Sequence, residues 1–597
     1  MSEITRTPSR VRACARRALL SRACALALAA PALALAQGAP PPTGWQPGDQ
    51  EEALRPPLSE PVPEAPVVPA VRDRAAAPIT GVEVRGFRIR GVGAHPERGI
   101  TPATMQALLD ARFAELAGGA DRATLDFDQL ADAAQPVTAA YRDAGYVVST
   151  AYLPAQTIGE DGIVEIAVLE GRLGRVIVEG NRRVRASAIA APAQRLAGRT
   201  LHRDEMEGAL LTMREIPGVA TSAVLQPGQA TGETDLVVTA TEEARPYSIS
   251  IGASNHGTEL TGRYRAQLGV AWRNALGIGD TISAGYARGY DPDQSDFASL
   301  AWHVPVVAVD GLSVMAAYSR SEMEVNRGAF AALRLTGPTS VAQVGADWRF
   351  VNRPTLQMQG GLRYVRERSR LEVLDGFSLS DQAFDVVDLG YTLRHIDRGT
   401  RGVNLVQANL RHAVDDRSAP GEDSVTPART GDFTLLRVSL ARMQYLTPTQ
   451  RLFARVYGQY TDDVLVPMEQ IALGGPDSIR ALPVSEALGD RGYQATLEYQ
   501  VDAPGFGDVA SPFGGRPWRD LLQFEVFADH GRVTASPGSL SPAEGRTYNG
   551  AGLGLVFRLP HLHNLELRLA GAVPVGGRFE ASDGDDFRAW ARFGMTF

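Results

Sequence analysis

The chain has 597 residues, 44% hydrophobic and 21% charged, a balance that suits folded protein in more than one domain rather than disorder. A net charge of −8 argues against a nucleic-acid binder, whose phosphate contacts need clustered Lys and Arg. Beyond residue 36 no run of ~18 apolar residues occurs, so any crossing of a bilayer falls to strands closed into a barrel.

The first 36 residues read as a secretory signal peptide. Arg6, Arg10, Arg12, Arg16, Arg17 and Arg22 form a basic leader, 23–35 is apolar, and Ala34-Leu35-Ala36 fits the small-residue cleavage rule. Both cysteines, Cys14 and Cys24, fall inside it, so the exported chain is expected to carry no disulfide, thiolate metal site or Cys nucleophile. Residues 37–77 hold ten prolines, which favour extended, unpacked chain, and they read as a linker. Only 48–55 leaves room for a short helical turn.

Residues 78–171 then mix two periods. Val82, Val84 and the Arg88-Ile89-Arg90 alternation predict a strand, and Met105, Leu108, Leu109, Phe113 and Leu116 recur at helical spacing after a Thr101 cap. Leu130, Ala134, Val137 and Tyr141 predict a second helix stopped by Gly145, and strands follow at 147–156 and 163–169. The same order returns over 172–244: strand 175–179, helices 186–196 and 203–214, strands 221–225 and 234–241. Two copies of one small α+β unit point to tandem domains rather than one large core.

From residue 245 the helical period disappears. Strands are expected to start near 245, 261, 279, 296, 311, 340, 355, 384, 402, 431, 450, 491, 521, 547, 564 and 587. In the clearest, Tyr264, Ala266, Leu268, Val270 and Trp272 face one way, and Arg263, Arg265, Gln267 and Arg273 the other. Arginines on a buried sandwich face would be unpaired and costly, whereas a hydrated lumen solvates them. The last segment repeats the pattern: Phe587, Ala589, Ala591, Phe593, Met595 and Phe597 share a face, opposite Arg588, Arg592, Thr596, Gly594 and an off-pattern Trp590. The fold class is therefore a transmembrane β-barrel of about sixteen antiparallel strands over 245–597, preceded by two α+β units.

The segments Tyr141, Gly145, Tyr146, then Pro154, Gln156, Gly162, Glu170 and Gly171, resemble the first POTRA domain of the two-partner secretion outer-membrane transporters (TpsB). These are relatives of haemolysin- and haemagglutinin-secretion proteins within the wider superfamily of POTRA-bearing barrels. The second unit, with Gly232-Glu-Thr-Asp-Leu-Val237, is similar to their second POTRA domain. The resemblance covers 78–597 and implies a location in the cell outer membrane with the POTRA domains in the periplasm.

It also singles out two further segments. The gap at about 462–491 contains Gly474-Gly475-Pro476-Asp477-Ser478-Ile479-Arg480-Ala481-Leu482, and resembles the superfamily's sixth extracellular loop, which folds back into the lumen. The family's tip is Val/Ile-Arg-Gly-aromatic, so Ala481 and Leu482 depart from it and put the tight turn and the aromatic contact in question. Phe527, Asp529 and Gly531 match the Phe-x-Asp-x-Gly motif of the thirteenth strand. Alternation turns Gln523, Glu525, Phe527 and Asp529 to the lumen, where Asp529 can hold Arg480 in a bidentate pair. From the residues alone, a solvated loop arginine and an Asp-x-Gly turn remain open; the resemblance implies the lock. Val84-Arg85-Gly86-Phe87 spells the tip motif too, but sits in the first strand, where Gly86 reads as a strand-end glycine like Gly180.

No catalytic, cofactor-binding or metal site is expected. His561 and His563 lack a third ligand cluster nearby and read as surface histidines, and no Gly-x-Ser-x-Gly, phosphate-loop or His-Glu-x-x-His motif occurs. The resemblance implies a transporter, not an enzyme, that takes an unfolded exported partner from the periplasm to the cell surface without ATP. That partner is expected to be a large β-helical adhesin, haemolysin or toxin. Further partners are outer-membrane lipid and the barrel-assembly machinery, for which Phe593, Met595 and Phe597 form a C-terminal signal. An N-terminal plug helix, usual in the family, has little room here. The alternatives are an assembly factor acting on many clients and, further off, a passive porin, which would not need two POTRA units.

Overall fold

The computed structural model describes residues 81–258, 261–291, 295–325, 334–374, 377–418, 432–537, 545–576 and 581–597. The expected signal peptide, linker and helical turn at 48–55 lie outside the described residues.

The first α+β unit contains strands β1 (Val82–Val84), β2 (Gly86–Arg90), β3 (Ala123–Leu125), β4 (Thr150–Tyr152) and β5 (Ile163–Leu169), with helices α1 (Pro102–Leu116), α2 (Phe127–Asp132) and α3 (Gln135–Asp143). β2 runs parallel to β5 in the sheet order β2-β5-β4, and β1 pairs with β3, a strand too short to show a period. Helix α1 starts where expected: Thr101 and Thr104 exchange capping-box bonds and Pro102 fills the first turn. Its inner face, Met105 and Leu109, packs with Val84, Phe87, Val137, Tyr141, Val164 and Ile166 in one core. The Val84-Arg85-Gly86-Phe87 segment is thus core structure, but the counterpart of Gly180 is Gly91. Both follow a strand at φ near +81°, each with a neighbouring carbonyl oxygen where a Cβ would stand.

The second unit repeats the plan with β6 (Arg172–Glu179), α4 (Ala186–Gln194), α5 (Arg203–Arg214), β7 (Val219–Pro227) and β8 (Glu233–Glu242), in sheet order β6-β8-β7. Its own core includes Leu173, Ile189, Met206, Met213, Leu236 and Val238.

Sixteen antiparallel strands then close a barrel. In order they are Tyr247–Ser254, Tyr264–Arg273, Thr281–Tyr290, Ser295–Pro305, Leu312–Val325, Thr339–Arg353, Leu356–Val373, Phe377–Asp397, Gly402–Asp416, Thr434–Thr447, Gln450–Tyr460, Arg491–Asp502, Leu522–Thr534, Thr547–Leu559, Leu565–Pro574 and Arg588–Thr596. The last pairs with the first, Phe593 opposite Ala253. A two-residue strand, Leu335–Thr336, decorates the connection between the fifth and sixth. Outward positions are apolar and exposed, such as Leu300, Val344, Leu362, Val526 and Leu553, while Arg411, Glu498, Glu525 and Asp529 point inward and are buried. That inside-out pattern is the one a barrel in lipid requires.

The second α+β unit sits against turns of the barrel's near end. Arg195 pairs with Asp310 at 2.9 Å, Asn352 donates to Thr212 at 3.1 Å, and Glu215 is held by Arg349 and Gln357. At the far end, the connection 461–490 turns inward and fills the lumen.

Candidate functional site

The inward connection is built around a short hairpin in which Ile471–Leu473 pairs with Ala487–Gly489. Gly474 and Gly475 then take φ of +107° and +99°; at Gly474 a Cβ would stand 2.1 Å from the Pro483 carbonyl oxygen, so only glycine fits. Leu482 N–H donates to the Ile479 carbonyl at 3.0 Å and Gly475 N–H to Leu482 at 3.1 Å, which turns 479–482 into a tight tip. Ile479 and Leu482 pack with Leu473, Val533 and Tyr548, and Ala481 with Phe527 and Ala572.

Arg480, at that tip, is surrounded. Its Nε and Nη2 donate to the two Asp529 oxygens at 2.9 and 2.8 Å, Nη1 donates to Glu498 at 2.9 Å, and its backbone N–H donates to Asp529 at 3.1 Å. The guanidinium carbon lies 3.3 Å from the centre of the Phe527 ring, and the indole N–H of Trp590 donates to the Arg480 carbonyl at 2.7 Å. A planar bidentate pair made together with a second carboxylate and a stacked ring face suits the guanidinium fork, which an ammonium's compact point charge cannot reproduce. Thr496 donates to Asp529 at 3.1 Å and completes the carboxylate's shell.

The departures at Ala481 and Leu482 do not open the turn. Ala481 has no left-handed φ, so the turn needs no glycine there. The space is made on the wall instead: a Cβ at Gly550 would lie 2.7 Å from that of Ala481, and one at Gly531 would lie 2.9 Å from Ile479. Aromatic contact comes from Phe527 and Trp590 rather than from position 482.

Several anchors were not legible in advance. Glu469, on the incoming limb, accepts from Arg411 at 2.6 Å and Arg437 at 2.7 Å, and Arg411 also holds Glu367 and Asp388 at 2.8 and 3.1 Å. Arg455 donates to the Asp477 carbonyl at 2.9 Å, and Asp490, on the outgoing limb, accepts from Leu465, Gln470 and Ser536. Inward parity would have flagged Arg411 and Glu498, but nothing in the sequence pairs them with residues tens of positions away. Trp590 is off-pattern because it faces the lumen.

Of the motif residues of the first unit, Tyr141, Gly145, Tyr146 and Gly171 gather near Glu170, whereas Pro154, Gln156 and Gly162 lie toward the other end of β5. The Glu170 carboxylate accepts from the Tyr141 hydroxyl and the Gly93 N–H, each at 2.9 Å, and lies 3.1 Å from His95 and 3.3 Å from Thr200 of the second unit. Burial, with the Glu170 carboxylate accepting its proton, pushes the Tyr141 phenol above its usual range. Tyr146 lies between the His95 and His202 rings, at 4.6 and 5.2 Å. Gly145 and Gly171 leave room for this joint: a Cβ on the first would meet His202, and on the second Val148. Gln156 pairs with the Glu165 backbone in both directions at 2.7 Å, close to the Gly162 turn and Pro154. Glu170, Tyr146 and Gly145, through Thr200 and His202, fix one unit against the next, and Gln156 ties strands within the first. Phe593 and Met595 face outward on the last strand, and Phe597 exchanges backbone bonds with Ile249 of the first.

Over residues 232–556, more than half of its length, the chain matches the family described as haemolysin secretion/activation protein ShlB/FhaC/HecB. The chain belongs to this family. Residues 95–171 match the POTRA domain of ShlB type. Similar relatives include the heme/hemopexin transporter protein HuxB of Haemophilus influenzae (strain 86-028NP), 22% identical over 68% of this chain and 70% of that protein. The hemolysin transporter protein ShlB of Serratia marcescens is 22% identical over 72% of this chain and 73% of its own. Among solved structures, CdiB from Escherichia coli superposes with a TM-score of 0.66 at 20% identity, covering 92% of this chain and 95% of that one. The transporter is therefore an outer-membrane barrel of the two-partner secretion type, which carries a secreted partner protein, and of the three readings left by the sequence the family decides for the first.

Proposed function

We propose that the connection 461–490 is the closure element of the transporter's pore, held by an ionic lock of Arg480 on Asp529 and Glu498 and steadied by Glu469 on Arg411 and Arg437. The observation that carries this is the convergence of three charge-assisted side-chain bonds and a ring face on one loop arginine. A lock made of ions suits an element that must come and go: in a hydrated lumen the released groups exchange partners with water, whereas an apolar plug would be stranded. The chain acts as a transporter with no catalytic step or cofactor of its own.

The POTRA pair captures the exported partner while it is unfolded, by adding an extended segment to a sheet edge. β4 and β7 are edge strands, each presenting an exposed apolar side chain, Tyr152 and Val224. The partner is a large β-helical protein whose folding outside the cell makes transfer directional. Phe593, Met595 and Phe597 present the last strand to the barrel-assembly machinery, and outer-membrane lipid receives the finished wall.

The test is co-expression with a large exported protein encoded beside this chain, followed by assay of the culture supernatant. The partner should leave the cell only when this chain is present. Equal release without it would overturn the reading.

A further inference from the structure

The periplasmic connection 503–521, between the twelfth and thirteenth strands, is the longest on its side; no other described one exceeds the span of 274–280. It is folded rather than loose. Ala510 bridges Pro517, Ser511 N–H donates to the Arg516 carbonyl at 2.8 Å, and Trp518 N–H donates to Val509 at 3.1 Å, which makes a small hairpin. Within it Trp518 stands 6.0 Å, edge to face, from both Phe506 and Phe513.

The hairpin leans outward. Phe513 meets Phe557 edge-on at 5.4 Å, and Phe557 lies on the lipid-facing side of the fourteenth strand, since its neighbours Val556 and Arg558 point into the lumen. Phe557 belongs to an outward row of register partners, Leu522, Phe557, Leu567 and Phe593, near the periplasmic end of the wall. The hairpin extends that row below the barrel and leaves Phe506 and Val509 exposed, 37% and 56%. The second POTRA unit contacts turns at 310 and 349–357, so it does not account for this surface. The hairpin's charges, Asp508, Arg516, Arg519 and Asp520, cancel, and Arg519 is already paired with Asp508.

We propose that the hairpin is an interfacial anchor that lies in the headgroup layer of the periplasmic leaflet, with Phe506, Val509, Phe513 and Trp518 reaching the acyl boundary. An aromatic cluster continuous with the lipid-facing wall fits that layer. Its cancelled charge leaves zwitterionic phospholipid sufficient, with no added pull toward anionic lipid.

The experiment uses the full exported chain, in which Val509→Cys supplies the sole thiol. The variant is labelled with an environment-sensitive fluorophore and reconstituted in phosphatidylethanolamine–phosphatidylcholine vesicles, with Arg398→Cys on another periplasmic turn as reference. The label at 509 should emit to the blue of the reference. Lipids brominated near the carbonyl end should quench it severalfold more than aqueous iodide, with the order reversed at 398. Adding phosphatidylglycerol should leave the quenching unchanged. A label at 509 that iodide reaches as it reaches 398, one shielded only after an exported partner is added, or quenching that rises with anionic lipid would overturn the proposal.

Discussion

Replacing Arg480 by Ala is the sharpest perturbation, because its consequences can be worked from the neighbouring charges. Arg480 and Arg568 together face three carboxylates, Asp529, Glu498 and Glu525. Without Arg480, the Asp529 and Glu498 side chains, 0% and 3% exposed, keep the neutral donors Thr496 and Gln500 and, as a charged neighbour, Arg568, which lies 3.7 Å from Glu498. Stripping one partner from a buried pair costs about 3–5 kcal/mol. At ~1.4 kcal/mol per tenfold, the docked-to-undocked ratio of the tip should fall between roughly a hundredfold and a few thousandfold. Asp529→Asn should do less, since it leaves two cations facing two carboxylates. The assay pairs Ser478→Cys with Gln494→Cys, whose side chains are hydrogen-bonded in the docked tip, and reads disulfide yield beside partner secretion. Arg480→Ala should lose both while the barrel still assembles and shows heat-modifiable mobility. Undiminished disulfide yield with normal export would refute the ionic lock.

Three further outcomes are expected. Glu469→Gln removes a carboxylate shared by Arg411 and Arg437 but leaves Arg411 with Glu367 and Asp388, so the loss should be milder, about 1–3 kcal/mol, read as a smaller drop in the same disulfide yield. Gly550→Ala would place a methyl 2.7 Å from that of Ala481 and should expel the tip, and adding Ala481→Gly should restore the disulfide; no rescue would locate the fault elsewhere. In the second α+β unit, side-chain and backbone hydrogen bonds from Arg175 hold the Asp235 carboxyl below the usual range. A depressed carboxylate contributes stability above its unfolded pKa of about 4 and loses it as pH falls through the lower folded value. Asp235→Asn should therefore be easier to cleave than the parent near pH 7 by limited proteolysis of the intact protein, with the difference closing below about pH 4.

Much of this architecture was legible because a barrel strand declares itself by parity. The start expected near 491 is Arg491, that near 402 is Gly402, and Trp272 and Leu268 face outward with Tyr264 as alternation requires. The eighth strand begins earlier than expected, at Phe377 rather than 384, because it continues past the lipid-facing zone, where the outward positions turn polar, as at Asp385 and Asp381. Arg480 and Asp529 could be singled out by motif. Their setting could not, since Glu498, Trp590 and Gly550 come from three other strands, and a lone inward Glu, a lone Trp or a glycine reads as ordinary wall. The replacement of glycine by Ala481 is intelligible only beside Gly550, where the missing side chain was moved across the gap.

The hydrogen bond from Trp590 carries a consequence for how the molecule is made. Its donor stands in the final strand, the last to be synthesised, and that strand in turn zips onto the first. The Arg480 carbonyl at the tip of the inward loop thus gains its partner only once the ring of strands has been completed. Any chain cut short before residue 590 lacks this tie, which makes sealing of the pore a late milestone of biogenesis rather than an early one.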